Sequence, residues 1–218
     1  MSKKVFSLIC AVSCSLIWGS AFIAQDMGMD YNGPFTFTFG RLFLGFLTLI
    51  PFLLIYEYKK IKPLIFKTRN IYNFLLIGFL LSMGNALQQF ALLYTDVANT
   101  AVFTIFYVVL VPFVSYYFFS KFIHNSVWLA IIICLFGGIL LTEFDNIQVR
   151  IGDSIAVVNA LSWAFHIVFI SRFLKVFNFP ITIACVQCLI ASFFVLLPAL
   201  VFENVELSNM ILDGKEMI

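Results

Sequence analysis

Seven apolar runs of 18 to 24 residues follow one another along the chain, and only one of them contains a charged side chain. They occupy 5–24, 35–56, 71–93, 97–119, 125–142, 154–171 and 179–202. A helix rises 1.5 Å per residue, so about 20 apolar residues cross a hydrocarbon core of about 30 Å. Each run therefore reads as a membrane helix, the two 18-residue runs reaching most of the way. Closed β-barrels also cross membranes, but their strands alternate polar and apolar residues. Leu49-Ile50-Pro51-Phe52-Leu53-Leu54-Ile55 does not alternate. Charged residues make up 11% of the chain, against about 25% in a soluble domain, too few to coat a water-facing surface. The expected fold class is an all-α membrane protein, a polytopic helical bundle.

Orientation follows from the loops, because cytoplasmic loops collect Lys and Arg. With the N-terminus inside, the inner segments hold Lys3, Lys4, Lys59, Lys60, Lys62, Lys67, Arg69, Lys121, Arg172 and Lys175, and the outer ones only Arg150 and Lys215. Glu57 is the one acid on the inner side; the other ten lie outside. Seven crossings then place the C-terminus outside the inner membrane. The five cysteines all lie within apolar runs and read as small apolar residues. The Cys185-x-x-Cys188 pair has redox or zinc spacing but lacks a second pair or a histidine beside it.

The chain also repeats itself. At an offset of 146, Asn32 falls on Asn178, Pro34 on Pro180, Thr36 on Thr182 and Glu57 on Glu203; at 145, Trp18 falls on Trp163. The unit of repetition holds five crossings. Five is odd, so the second copy enters the membrane from the opposite side, as the charge distribution independently requires. Inverted five-helix repeats are a hallmark of secondary transporters, whose substrate site lies between the copies near the midplane. The expected organisation is a first repeat over 1–142, the start of a second over 151–203, and a polar tail over 204–218. The second repeat is incomplete: it would need three more crossings.

Helical spacing groups the polar residues. Trp18, Phe22 and Gln25 share a face, as do Asn159, Trp163 and His166. Trp18 lies about 20 Å along its helix, and inversion brings Trp163 to a similar depth. Ser82, Asn85, Gln88 and Gln89 make a polar stripe that lines a cavity or ties helices together. Gly19 and Ser20, and Gly137 and Gly138, would permit close helix approach, and Pro112 would kink the fourth crossing. Arg41, on a stripe with Thr38, Gly45 and Thr48, is the one charge inside a run. It attracts a substrate carboxylate, or it snorkels to the headgroups or ties to a neighbouring carbonyl. His166 binds substrate or bridges helices. The candidate substrate-binding residues are Trp18, Arg41, Gln88, Trp163 and His166.

Several segments resemble the EamA-like branch of the drug/metabolite transporter superfamily. Leu16-Ile17-Trp18-Gly19-Ser20-Ala21-Phe22 is similar to that family's opening motif, and Gly33-Pro34 with Gly40-Arg41-Leu42 to its second-helix start. The stretch Ala91-Leu92-Leu93-Tyr94-Thr95-Asp96-Val97-Ala98-Asn99-Thr100, with Tyr107 and Pro112 downstream, is similar to its third-to-fourth-helix signature. Gly152-Asp153 and Ala160-Leu161-Ser162-Trp163-Ala164 resemble the start of its second repeat. The resemblance implies a ten-helix carrier of small metabolites, often amino acids or related compounds, with a central cavity. The chain departs from the family at Ser120-Lys121-Phe122, where an acidic residue is common, and in lacking three helices.

The expected function is secondary transport by alternating access. The partners are a small-molecule metabolite, the lipid bilayer, and a second copy of the chain or a complementing C-terminal segment. No cofactor, metal or nucleic acid is expected. An inactive or split fragment of such a transporter is one alternative. A seven-helix receptor or photosensor would run with its N-terminus outside, and the photosensor needs a mid-helix lysine. A membrane enzyme would need clustered ligands, whereas His124 and His166 differ widely in depth.

Overall fold

The structure, a computed structural model, describes residues 2–29, 32–61, 67–120, 122–141 and 150–203. Among the described residues there are nine helices and no strand: α1 (Lys3–Gly28), α2 (Pro34–Tyr56), α3 (Tyr58–Ile61), α4 (Thr68–Leu92), α5 (Val97–Ile105), α6 (Tyr107–Phe119), α7 (Asn125–Leu141), α8 (Ile151–Phe177) and α9 (Pro180–Phe202). Six helices are long and apolar enough to cross a membrane, α5 and α6 together counting as one. The fifth apolar run appears as α7, which at 17 residues extends about 26 Å. The polar tail over 204–218 lies outside the described residues. The molecule is an all-α polytopic membrane protein.

Successive crossings run in opposite directions. Gln88 and Gln89 of α4 reach Gln25 near the end of α1, the Phe74 ring of α4 packs on Phe173 and Phe177 of α8, and Phe113 of α6 packs on Trp128 of α7. One end of the bundle therefore gathers Lys59, Lys60, Lys67, Arg69, Arg172 and Lys175, and the other gathers Asp26, Asp96, Asp153 and Glu203. These are called the basic and the acidic end below.

The most extensive helix contact joins α2 to α9, and both of its ends are capped across the interface. Both helices begin with proline and have no capping side chain of their own. The first-turn N–H groups of a helix have no partner within it, and they carry partial positive charge. At the basic end the Glu57 carboxylate, just past α2, accepts from the Ile181 and Thr182 amides of α9 at 3.3 and 2.7 Å. It also accepts the Thr182 hydroxyl at 2.6 Å. At the acidic end Glu203, just past α9, accepts from the Phe35 and Thr36 amides of α2 at 2.7 Å each. The Thr36 hydroxyl joins it at 2.6 Å. Each helix thus closes the other.

The central helix is α4, which packs on both α8 and α9 and is the most enclosed, whereas α1 is the least. Near the basic end Phe74 and Ile77 of α4 meet Ile61, Phe173, Phe177 and Ile183 in one buried cluster. Near the acidic end α8 starts against the turn after α4. The Asp153 side chain accepts from the backbone of Arg150 and from the Thr95 hydroxyl. That carboxylate closes the first turn of α8 and carries the helix beyond the uncharged stretch 154–171. Arg172 and Lys175 lie in its last two turns, where helix polarity favours cations. Charge therefore ends the apolar run but not the helix.

The fourth crossing is broken at Phe106, six residues before Pro112. Pro112 gives no N–H to the preceding turn and crowds the carbonyl four residues back. The chain tightens upstream instead: Phe106 N–H bonds the Phe103 carbonyl and Val109 N–H the Phe106 carbonyl, i to i−3 steps of a narrower helix. Of the glycines expected to bring helices together, Gly138 faces Val102 of α5, while a Cβ on Gly137 or Gly19 would touch nothing within 4 Å.

Gly152 is where α8 comes closest to the end of α4. A Cβ there would lie 2.7 Å from the Ala91 carbonyl oxygen and 2.7 Å from the Thr95 amide nitrogen. Both are backbone atoms and neither yields by a rotamer change. Gly152→Val is expected to lower stability by about 1–3 kcal/mol, read as a lower unfolding temperature in detergent.

Candidate functional site

The two tryptophans that the repeat aligns are in contact. Trp18 of α1 and Trp163 of α8 lie edge to face with ring centres 5.3 Å apart. Trp18 also stacks on Tyr107 at the start of α6, at 6.2 Å. Trp163 meets His166 of its own helix at 5.7 Å. Trp163 is buried beside Leu42, Leu81, Ala191 and Val195, and it lies over Gly84 of α4, where a Cβ would come within 3.1 Å of the indole. Glycine at that point lets α4 and α8 close on the ring.

On the α1 side the aromatic group opens into a cavity of about 320 Å³ between α1 and the α5–α6 break. Trp18, Gly19, Phe22, Thr104 and Tyr107 contribute to its wall. Gly19 borders this space and not a neighbouring helix, the opposite of the close-approach role its residue type suggested. Thr104 connects the wall to α8, its hydroxyl accepting from the buried Asn159 amide at 3.2 Å. The break at Phe106 presents Tyr107 to Trp18 and leaves Thr104 one turn away.

The five residues expected to bind substrate fall into three places. Trp18, Trp163 and His166 are contiguous. Gln88 lies nearer the acidic end, donating to the Gln25 side chain at 2.9 Å while Gln89 donates to the Gln25 backbone at 3.0 Å. Arg41 ties to a neighbouring carbonyl, that of a side chain: it donates to Asn85 Oδ1 of α4 at 2.6 Å and sits 5.8 Å from the Phe37 ring. His166 Nε2 lies 3.1 Å from Gln187 Oε1 of α9, so Gln187, which occupies the repeat position of Arg41, bridges to the aromatic group. The Gln88 and Gln89 carbonyl oxygens, Asn159 Oδ1 and the Trp163 indole N–H are buried without a partner among the described residues. Buried polar atoms are ordinarily satisfied, so these four can accept from or donate to a polar guest.

Tyr107 and Thr104, polar residues of the fourth crossing, were not among the expected substrate-binding residues. They lie three residues apart, one helical turn, so their shared wall is what helical spacing allows; that it faces Trp18 follows from packing with α1. Asn85 was visible as part of a polar stripe, but its partner on another helix was not.

The EamA-like transporter family profile matches residues 5–143. The chain is 26% identical over 176 residues to an "uncharacterized transporter" of Archaeoglobus fulgidus, covering 81% of this chain and 52% of that one. It is 24% identical over 163 residues to the "uncharacterized transporter YoaV" of Bacillus subtilis, covering 72% and 54%. The chain spans about half the length of these curated relatives. No solved structure matches it significantly. With the matched segment taking in both the Trp18 and the Tyr107 walls of the cavity, the chain belongs to the EamA-like transporter family.

Proposed function

We infer that the chain is a secondary carrier of a small metabolite, such as an amino acid or a related compound, across the inner membrane. The aromatic group and its adjoining cavity hold the solute, and the basic end faces the cytoplasm in accordance with the positive-inside rule. The observation that carries this reading is the contact of Trp18 with Trp163 beside a cavity. These are the residues that the repeat aligns, and they meet on the seam between its copies. The exchange of carboxylate caps between α2 and α9 supports the inverted repeat. It pairs Glu57 with Glu203 and Thr36 with Thr182, as the 146-residue offset does.

Chemically, the wall suits a small amphipathic solute. Indole and phenol faces stack on its apolar or cationic part, and the Ser15 and Thr104 hydroxyls on the wall bond its polar part. The seven apolar runs contain no Asp or Glu, so proton coupling through a mid-membrane carboxylate is not available from these helices. Rocking of one repeat against the other alternately exposes the seam, and the Phe106 break allows α5 and α6 to follow different sides.

The test is flux. Purified protein in liposomes is given a panel of labelled amino acids and related small metabolites. Saturable uptake that is accelerated by unlabelled solute on the far side is expected for at least one of them. Flux equal to that of protein-free vesicles for the whole panel counts against the reading. A second reading, that the seam works only against a second copy or a complementing segment, is favoured by the exposure of α1, where Leu16 and Ile17 are 71% and 70% exposed. It requires an assembly larger than one chain in a mass measurement of the active particle.

A further inference from the structure

A second pair of cavities lies far from the aromatic group, at the basic end between α4, α6 and α8. They adjoin, sharing Arg69, Phe119, Arg172 and Val176, and measure about 170 and 360 Å³. The larger adds Lys175 and the hydroxyls of Ser115 and Ser171; the smaller adds Asn73. Three cations from two helices therefore border one space.

No carboxylate of the described residues answers them. Among the described residues the acids are Asp26, Glu57, Asp96, Asp153 and Glu203. Four stand at the acidic end, and Glu57 is committed to the α9 amides. The one ion pair among the described residues joins Arg150 to Asp96, also at the acidic end. The Arg172 guanidinium instead lies 4.3 Å from the centre of the Phe119 ring, which fixes its plane but leaves its charge uncompensated.

The depth and the walls say what compensates it. Arg172 is five residues from the end of α8, about 8 Å, and Arg69 is the second residue of α4. Both are at headgroup level and not at the midplane. Below them the lining is apolar, with Leu76, Val111 and Ile167, and Leu76 and Val176 are exposed on the outer surface. The groove is thus basic at the top, greasy underneath and open to the side. A free anion would match only the upper part. A phosphodiester carrying acyl chains matches both, with the arginine forks on phosphate oxygens and the chains against the apolar wall. Basic pockets between membrane helices hold anionic headgroups on these grounds.

We propose that this groove binds one anionic phospholipid of the leaflet at the basic end, its phosphate held by Arg69, Arg172 and Lys175. The site does not depend on the solute carried. The test uses the purified full chain in detergent. Phosphatidylglycerol and phosphatidylcholine of identical acyl chains are titrated separately, and retained lipid is counted by native mass spectrometry. One phosphatidylglycerol is expected to be held at least tenfold more tightly than phosphatidylcholine. R69Q and R172Q should each weaken it about tenfold while leaving the size-exclusion profile unchanged. K59Q/K60Q, which removes two cations at the same end but outside the groove, should leave it unchanged. If R172Q does not fold, R69Q and K175Q carry the comparison. Equal retention of the two lipids overturns the proposal. So does displacement by inorganic phosphate at matched concentration, which would mark a site for the free anion. Equal weakening by K59Q/K60Q also overturns it, since it would mean surface charge alone.

Discussion

Glu57→Ala is expected to be the most destabilising single substitution at the ends of the bundle. The carboxylate is buried and receives two amide N–H groups and one hydroxyl from the start of α9. Hydrogen bonds to a charged group contribute about 1.5–3 kcal/mol each, and a buried donor left without a partner costs about 1–3 kcal/mol. Water rescues few of them at a buried position. A loss of about 2–4 kcal/mol is therefore expected, seen as a lower unfolding temperature and less monodisperse protein after extraction. Glu57→Gln keeps one acceptor oxygen and should lose roughly half as much. Glu203→Ala should lose less than Glu57→Ala, because Glu203 is only partly enclosed. The double variant should fall short of the sum of the two, since both act on one helix pair. An unfolding temperature for Glu57→Ala within error of the parent would remove the cap from among the features that hold α2 to α9.

Gly19→Leu is expected to slow transport strongly with little loss of fold. A Cβ at Gly19 meets nothing within 4 Å, and the position borders the 320 Å³ cavity. The added side chain therefore fills space and displaces no neighbour. Leucine also favours a helix more than glycine does, so α1 should not be weakened. A solute that must share the cavity with four new carbons meets the cost of overpacking, about 1–3 kcal/mol, which corresponds to roughly a tenfold to hundredfold loss of flux at limiting solute. Measured in liposomes, Gly19→Leu should match the parent in unfolding temperature and in the amount incorporated, and differ in rate. Unchanged flux would place the solute path elsewhere, while failure to fold would mean that α1 packs more closely than this geometry has it.

The membrane helices were legible because a bilayer leaves the chain few choices. A run of about 20 uncharged residues has one way to satisfy its backbone in lipid, and the six long helices follow those runs. Their ends were less legible. At α8 the apolar run stops at charges, yet the helix continues through Asp153 on one side and Arg172 on the other, because each charge suits the terminus it occupies. Trp18 and Trp163 could be paired from the sequence since each carries a repeat position and a helical face. Arg41 could not be paired with Asn85, nor His166 with Gln187. Spacing gives the face of a helix, but which face it meets is set by packing between helices distant in the chain. In the sequence Glu57 and Glu203 mark the repeat and the two sides of the membrane, not a contact. Their capping role needed the knowledge that α2 and α9 lie side by side in opposite directions.

That arrangement has a consequence for length. The two helices have 23 residues each, and each terminal glutamate must reach the first turn of its neighbour. Inserting one residue in α2 alone would carry Glu57 past Thr182 by 1.5 Å and swing it by about 100°. It would thereby unlatch the far helix while leaving its own turns intact. The pair acts as a gauge block: a change in the length of one member must be copied in the other for both latches to close.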